Sequence, residues 1–312
     1  GGDRAGGEAT MNSEIGIVGL GKMGGNIARA LVEEGYDVVG YDVDPDAAET
    51  IDGVEAAEGY ADLATALDTP RLVWLSVPAG DAVDDALDSL RPHLEEGDIV
   101  VDGGNSNFER TRDRFERLQA EGVHLLDAGC SGGPSGARNG LSIMIGGEKD
   151  VYEDVEEVFD LLSVEDGYAY FGEAGAGHYV KMVHNGVEYV MMQALGEGYQ
   201  LLAEGPYDPD LEDVSRVWSN GSVIESRLVR LCRNVFEKKP SLEGVTGHVP
   251  DSGEGRWSLE TAIKHDIPAT GIAHSLFARY RSRTGDEGTF ADKLVSMLRH
   301  EFGGHDVETT ND

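Results

Sequence analysis

Hydrophobic and polar positions change their period part-way along the chain. From residue 14 to about residue 172, short apolar runs that fit strands alternate with stretches of helical period. The runs fall at 15–19, 37–41, 72–77, 99–102, 124–127 and 141–145. Amphipathic helices are expected between them near 23–34, 45–52, 61–68, 80–94, 107–121 and 149–162. This alternation reads as a mostly parallel sheet wrapped by helices. After Gly175 the strand pattern stops. Helices are expected at 177–204, 209–219, 222–237, 255–266, 268–283 and 288–302, broken by Gly205-Pro206 and by the segment 240–253. The expected fold is an α/β N-terminal domain over 13–175 and an all-α C-terminal domain over 176–312. The residues before Met11 lack the apolar core of a signal segment, so 1–12 reads as a disordered extension.

The first strand runs into Gly19-Leu20-Gly21-Lys22-Met23-Gly24, which also opens the first helix. In that context the first two glycines permit a tight turn and close approach of a pyrophosphate to backbone N–H groups. The third lets the helix pack on the sheet with its N-terminus facing the phosphates. The α/β domain is therefore expected to be a Rossmann-type dinucleotide-binding domain. A bare structural turn is the alternative reading of the glycines. Asp42 ends the second strand, 23 positions after Gly19. A carboxylate there accepts hydrogen bonds from the adenosine ribose and repels a 2′-phosphate. Val43-Asp44-Pro45-Asp46 offers no cation for that phosphate, so NAD is expected over NADP. Asp44 reads as the N-cap of a helix beginning at Pro45. Val77, at the end of the third strand, is a further cofactor-binding candidate.

Charge narrows the choice of partners. Lys and Arg number 25 against 59 Asp and Glu, a net −34. Nucleic acid and anionic membrane surfaces both need clustered cations, so neither is expected as a partner. No apolar run is long enough for a membrane span. Of the 25 cations 18 are Arg, and an acid-rich, Lys-poor surface suits molar salt, where self-repulsion is screened within about 3 Å. Cys130 and Cys232 lie far apart and show no metal-ligand spacing. Neither a disulfide nor a metal site is expected, which fits a reducing, cytoplasmic setting.

The proton chemistry is expected in the long helix after Gly177. At 100° per residue, Lys181, His184, Asn185 and Glu188 fall at about 0°, −60°, +40° and −20°. Val180, Val183, Val187 and Val190 occupy the opposing arc and are expected to pack inward. A polar stripe is often only a solvated face. Here, however, solvated faces are built from Asp and Glu, and Lys is scarce, so a Lys–His–Asn–Glu stripe reads as a site. A Lys in a closed site can have its pKa lowered by desolvation, which suits it to act as a general base.

Five ordered motifs then carry a resemblance. They are Gly19 to Gly24; Asp102-Gly103-Gly104-Asn105-Ser106; Cys130-Ser131-Gly132-Gly133; Lys181-Met182-Val183-His184-Asn185-Gly186 with Glu188-Tyr189; and Arg299-His300-Glu301-Phe302-Gly303-Gly304-His305. Together they resemble the decarboxylating 6-phosphogluconate dehydrogenases, a branch of the β-hydroxyacid dehydrogenases, in a short form with a reduced helical domain. The resemblance implies oxidative decarboxylation of 6-phosphogluconate to ribulose 5-phosphate and CO2 with NAD as oxidant. Lys181 would be the base and Glu188 the acid. Asn105, His184 and Asn185 would orient hydroxyls, with Asn105 serving the cofactor as well. Ser131, Gly132 and Gly133 would receive the carboxylate. Tyr189, Arg279, Arg299 and His305 would hold the phosphate, with the tail completing the neighbouring site in a homodimer. Turn chemistry alone could also account for Asn105 and Ser131, and a helix C-terminus also favours Arg299.

One departure stands out. Ser252 and Glu254 occupy positions where longer members carry a Lys and a Thr that help hold the phosphate, and Glu254 would repel a phosphate beside it. Two other readings remain open at this level: a 3-hydroxyisobutyrate-type dehydrogenase, and a catalytically silent dinucleotide-binding protein.

Overall fold

The structure, a computed structural model, describes residues 13–284 and 288–309. The extension expected over 1–12 lies outside the described residues. By its internal contacts the chain divides into two units, the first ending at Val180 and the second beginning at Lys181.

The first unit is built on one sheet. Its strands are β1 (Glu14–Val18), β2 (Asp37–Tyr41), β3 (Val54–Ala56), β4 (Leu72–Leu75), β5 (Ile99–Asp102), β6 (His124–Ser131), β7 (Leu141–Gly146) and β8 (Ser163–Gly172). They lie in the order β3-β2-β1-β4-β5-β6-β7-β8. All neighbours are parallel except β6 and β7. The helices are α1 (Gly24–Glu33), α2 (Tyr60–Ala66), α3 (Asp81–Leu90), α4 (Phe108–Gln119), α5 (Gly133–Asn139) and α6 (Lys149–Leu162). Successive strand residues point to opposite faces, which is why continuous apolar strands fill two cores. Ile15, Ile17, Trp74 and Val101 pack with Ile27, Leu31 and Phe159 of α1 and α6. Val18, Val73, Leu75 and Val100 pack with Leu63, Leu87 and Leu118 of α2, α3 and α4. Strand order reverses at β1, which has β2 on one side and β4 on the other. The C-terminal ends of β1 and β4 thus flank the crevice where open α/β sheets bind ligands.

Several elements differ from expectation. Strands β3 and β8 are additional. Val54-Glu55-Ala56 is too short to show a period, and β8 is an edge strand whose first residues are mostly exposed. Only a single 3-10 turn, Ala48–Thr50, forms within 45–52. The motif at 130–133 is split: Ser131 ends β6, and α5 starts at Gly133.

Helix α7 (Ala176–Glu204) carries the chain into the second unit, followed by α8 (Leu211–Trp218), α9 (Arg227–Lys238), α10 (Glu254–Lys264), α11 (Thr270–Ser282) and α12 (Phe290–Gly303). The core of the second unit gathers Met192 and Tyr199 with Cys232, Phe236, Leu276, Leu294 and Leu298. The buried Tyr199 hydroxyl pairs with Ser215 Oγ at 2.7 Å, so the ring adds apolar area without a stranded polar atom. Helix α12 begins with a capping box between Thr289 and Asp292 and ends at Gly304 in the left-handed conformation, φ 61°.

Candidate active site

The candidates fall into two groups, one in each unit. In the first, the glycine loop follows from sterics. Gly19 has φ 89°, and a Cβ there would meet Ser76 O at 2.5 Å. A Cβ on Gly24 would meet Gly19 O at 1.8 Å. A Cβ on Gly21 would meet no described atom within 4 Å. The protein itself therefore requires glycine at 19 and 24, while Gly21 keeps open space where a pyrophosphate could approach. That cradle fits a dinucleotide. Leu20 is buried, Lys22 is exposed, and Met23 stands at the N-cap of α1. The Asp42 carboxylate accepts from Leu20 N at 2.6 Å and from Asp44 N at 2.9 Å, which fixes its charge at the end of β2. Asp44 in turn accepts from Asp46 N at 3.2 Å, a short turn rather than the cap of a full helix.

Val77 lies between this loop and the next, with its Cγ1 beside Gly19 and its carbonyl beside Gly104. Half-buried Asn105 sits in a loop held by Asp102, whose carboxylate accepts from Gly104 N at 3.1 Å and from Ser106 Oγ at 2.7 Å. Arg114 braces that loop from behind. It reaches Ser106 Oγ at 3.1 Å and Asp102 at 3.4 Å, and forks onto Asp84 with two 2.9 Å bonds. The Arg114 pair holds Asp84 down to about 2, with Arg110 adding to the effect. Arg114 escaped notice in the sequence, because one Arg among the four Arg and three acids of α4 looks like part of a solvated charged face. Ser131, Gly132 and Gly133 close β6 and open α5, with Gly132 at φ 131° and Gly133 at φ 63°.

In the second unit the polar stripe of α7 is the buried face. Lys181 is 5% exposed and Asn185 9%, whereas Val183 is 38% and Val187 49% exposed, and Val180 and Val190 are half-buried. The expectation that the valines pack inward is therefore reversed. Periodicity separates two faces of a helix but does not say which one is covered. Here α10 lies on the polar face. A Cβ on Gly255 would meet the Tyr189 ring at 2.4 Å, and one on Gly186 would meet Ser258 at 2.9 Å.

Asn185 is the hub of this face. Its Oδ1 lies 2.9 Å from Lys181 Nζ and 2.9 Å from His184 Nδ1, and its Nδ2 donates to Glu254 Oε1 at 3.1 Å. Lys181 Nζ and His184 Nδ1 are 3.5 Å apart, and His184 Nδ1 lies 4.0 Å from Glu188 Oε2. Burial and then the Lys181 charge lower the His184 pKa, so the imidazole is neutral at neutral pH. Burial raises Glu188 against the opposing pull of Lys181 and Arg279, favouring a retained proton.

Arg279 and Arg299 are both buried. The Arg279 guanidinium lies 3.3 Å from the centroid of the Tyr189 ring and donates through Nη1 to Pro250 O at 3.2 Å. Its Nη2 is buried without a hydrogen-bond partner. Burial pushes Arg279 down to about 10, so it remains a cation at neutral pH. Arg299 is likewise lowered by burial, with Tyr189, Glu254 and Glu188 pulling the other way. Ser252 N donates to the Tyr189 hydroxyl at 3.3 Å. His305 differs: it is exposed, stands edge-on to Phe302 at 6.2 Å, and offers its carbonyl to His300 Nδ1 at 2.8 Å. Beyond it, Thr246 N donates to Glu308 O at 3.0 Å within the same chain.

Residues 14–172 match the NAD binding domain of 6-phosphogluconate dehydrogenase, and residues 177–311 match the 6-phosphogluconate dehydrogenase C-terminal domain. The chain belongs to the 6-phosphogluconate dehydrogenase family. A Haloferax volcanii member, the NAD(+)-dependent, decarboxylating 6-phosphogluconate dehydrogenase, is 45% identical over 303 residues, covering 96% of this chain and 100% of that protein. The solved Plasmodium falciparum 6-phosphogluconate dehydrogenase superposes with a TM-score of 0.80 at 28% identity, over 93% of this chain and 70% of that one. A Mycobacterium tuberculosis 3-hydroxyisobutyrate dehydrogenase shares the fold, with a TM-score of 0.73 at 20% identity, over 93% of this chain and all of that one. Among the described residues no helix is long and apolar enough to cross a membrane, and no cluster of His, Cys, Asp and Glu could hold a metal ion.

Proposed function

We propose that this protein oxidises and decarboxylates 6-phosphogluconate to ribulose 5-phosphate and CO2, using NAD. The observation that carries the reading is the second unit's set of Lys181, Asn185, His184 and Glu188, together with Arg279, a buried cation whose Nη2 is unpaired. A 3-hydroxy acid without phosphate would leave that guanidinium stranded. The Lys–His–Asn arrangement suits a polyhydroxylated one.

In this reading Lys181 accepts the proton of the C3 hydroxyl. The bound nicotinamide supplies the acceptor for the hydride that leaves C3. The resulting 3-keto acid loses its C1 carboxylate as CO2, because the new carbonyl takes up the electrons of the breaking bond. Lys181, now an ammonium held by Asn185 Oδ1, stabilises the enolate oxygen. Glu188, whose pKa burial raises, delivers its proton to the carbon that lost CO2. Asn105, His184 and Asn185 orient hydroxyls, Asn105 also meeting the cofactor, and Ser131, Gly132 and Gly133 receive the carboxylate. Tyr189, Arg279 and Arg299 hold the phosphate. Gly19 to Gly24, Asp42 and Val77 seat the dinucleotide, with Asp42 selecting NAD.

The same reading includes a cytoplasmic homodimer in which His305 completes the neighbouring site. Exposed Val183, Val187 and Met191 on α7 and the exposure of His305 support it, and Cys130 and Cys232 are buried free thiols. The acid excess fits work at high salt.

The test is NADH and CO2 formation from 6-phosphogluconate and from hydroxyisobutyrate, each with NAD and with NADP, from low to molar salt. NADH and CO2 from the phosphorylated acid alone are expected. Turnover of hydroxyisobutyrate in its place would overturn the substrate, and cofactor binding without any turnover would favour the silent alternative. Mixing inactive Lys181→Ala and His305→Ala proteins should restore activity if tails exchange between subunits.

A further inference from the structure

Glu254 occupies the position that first reads as hostile to a phosphate, yet its carboxylate is engaged on α7. Glu254 is 4% exposed and stands in the first turn of α10. Its backbone carbonyl accepts from Ser258 Oγ at 2.8 Å, and the same hydroxyl reaches Met182 O at 2.9 Å, which ties this turn to α7. Its Oε1 accepts from Asn185 Nδ2 at 3.1 Å, and its Oε2 is buried without a hydrogen-bond partner. An amide has one acceptor end and one donor end. Because a carboxylate can only accept, Asn185 must turn its NH2 toward Glu254. Its oxygen then faces Lys181 and His184, where it lies 2.9 Å from each. The reversed amide would set NH2 against an ammonium and oxygen against a carboxylate.

We propose that Glu254 is a positioning residue for the base: through Asn185 it orients the acceptor that holds Lys181 Nζ, and it places a fixed negative charge one amide away from that nitrogen. This inference rests on the reading of Lys181 as the base. Other charges face the same site: His184 and Glu188 on α7, Arg279 on α11 and Arg299 on α12. The two arginines and any charge on His184 favour the neutral amine, and so oppose Glu254. Glu254 and an ionised Glu188 favour the ammonium.

Two variants separate geometry from charge. In Glu254→Gln a carbonyl oxygen still accepts from Asn185, so orientation survives and only the charge goes. Removing a nearby negative charge makes the Lys181 ammonium a stronger acid. The acidic limb of the kcat/KM profile for 6-phosphogluconate should then move to lower pH by about one unit, with plateau kcat within about threefold. In Glu254→Ala the orienting acceptor is lost as well, and plateau kcat should fall about tenfold or more. A merely structural Glu254 would lower Tm in both variants and leave the limb in place. An unmoved limb in Glu254→Gln, or equal plateau losses in Gln and Ala, overturns the proposal. Wild-type protein that fails to turn over 6-phosphogluconate would instead refute the functional reading itself. Thermal melts of both variants keep misfolding distinguishable from either result.

Discussion

Arg279→Met is the most informative single substitution, because it should improve the fold while damaging binding. Methionine keeps the length and apolar stem of the side chain and removes the guanidinium. In the structure that group is a buried cation, lowered from the usual arginine range to about 10 chiefly by desolvation. At about 1.4 kcal/mol per pH unit, holding the charge costs about 3 kcal/mol, and the cost applies at every pH below the folded value of about 10. Stacking over the Tyr189 ring at 3.3 Å returns about 1–2 kcal/mol. The Nη1 bond to Pro250 O adds little, since Pro250 is exposed and its carbonyl can turn to water. The variant should therefore be more stable by about 1–2 kcal/mol, a rise in Tm of about 2–6 °C by calorimetry. In its proposed role the same change also removes a charge-assisted bond to the substrate phosphate, worth about 1.5–3 kcal/mol. KM for 6-phosphogluconate should rise about ten- to a hundredfold in initial-rate assays, with kcat much less affected. A lower Tm would show that Arg279 is a structural cation. An unchanged KM would remove it from the phosphate site.

Lys181→Met should lower kcat by about 10²–10⁴-fold while NAD binding by fluorescence titration stays within about twofold, since the dinucleotide candidates lie in the other unit. Glu188→Gln should lower kcat, and it should also change how stability depends on pH. Burial raises the folded pKa of Glu188 above its unfolded value, so the native state binds the extra proton and wild-type stability falls as pH rises through that interval. The variant should be the more stable of the two above the folded pKa and no more stable below about pH 4, as read by urea titration across pH. Asp42→Ala should reduce kcat/KM for NAD about ten- to a hundredfold and narrow its lead over NADP. An unchanged NAD to NADP ratio would show that the carboxylate only braces Leu20 N.

The parts of the fold that could be read beforehand are those where one residue type has one physical use. Gly19 and Gly24 are required by backbone atoms at 2.5 and 1.8 Å, and the central strands stand out as continuous buried runs. Strands β3 and β8 escaped notice because edge pairing is made by backbone, and neither strand needs an apolar pattern to form it. Helix α5 was hidden by a Gly-Pro-Ser-Gly composition that reads as turn. The stripe on α7 was visible, but not its sense. Whether Lys181 and Asn185 face protein or water depends on α10, more than sixty residues away, and a single-helix period carries no information about it. The same distance in sequence hid the link from Glu254 to Asn185. Local reading could compare Glu254 only with an absent phosphate and not with an amide already present.

The charge of −34 made anion binding look unfavourable, and the placement of the arginines shows how both can hold. Arg71 meets Asp98, Arg114 meets Asp84, and Arg256 and Arg283 share Asp251. In a chain this rich in carboxylates, these four arginines are each neutralised by a neighbouring Asp. Arg279 keeps an unpaired Nη2 because burial against Tyr189 excludes the surface carboxylates that would otherwise neutralise it. Burial makes that cation costly to hold and also strengthens its field, since the effective dielectric around it is lower than at the surface. Salt screens the acidic exterior within about 3 Å at molar concentration but reaches a buried pair much less. Added salt should therefore weaken the long-range repulsion of an anionic substrate more than it weakens the final contact with Arg279. The acidic surface and the cationic site then act at different distances, and solvent governs only the first.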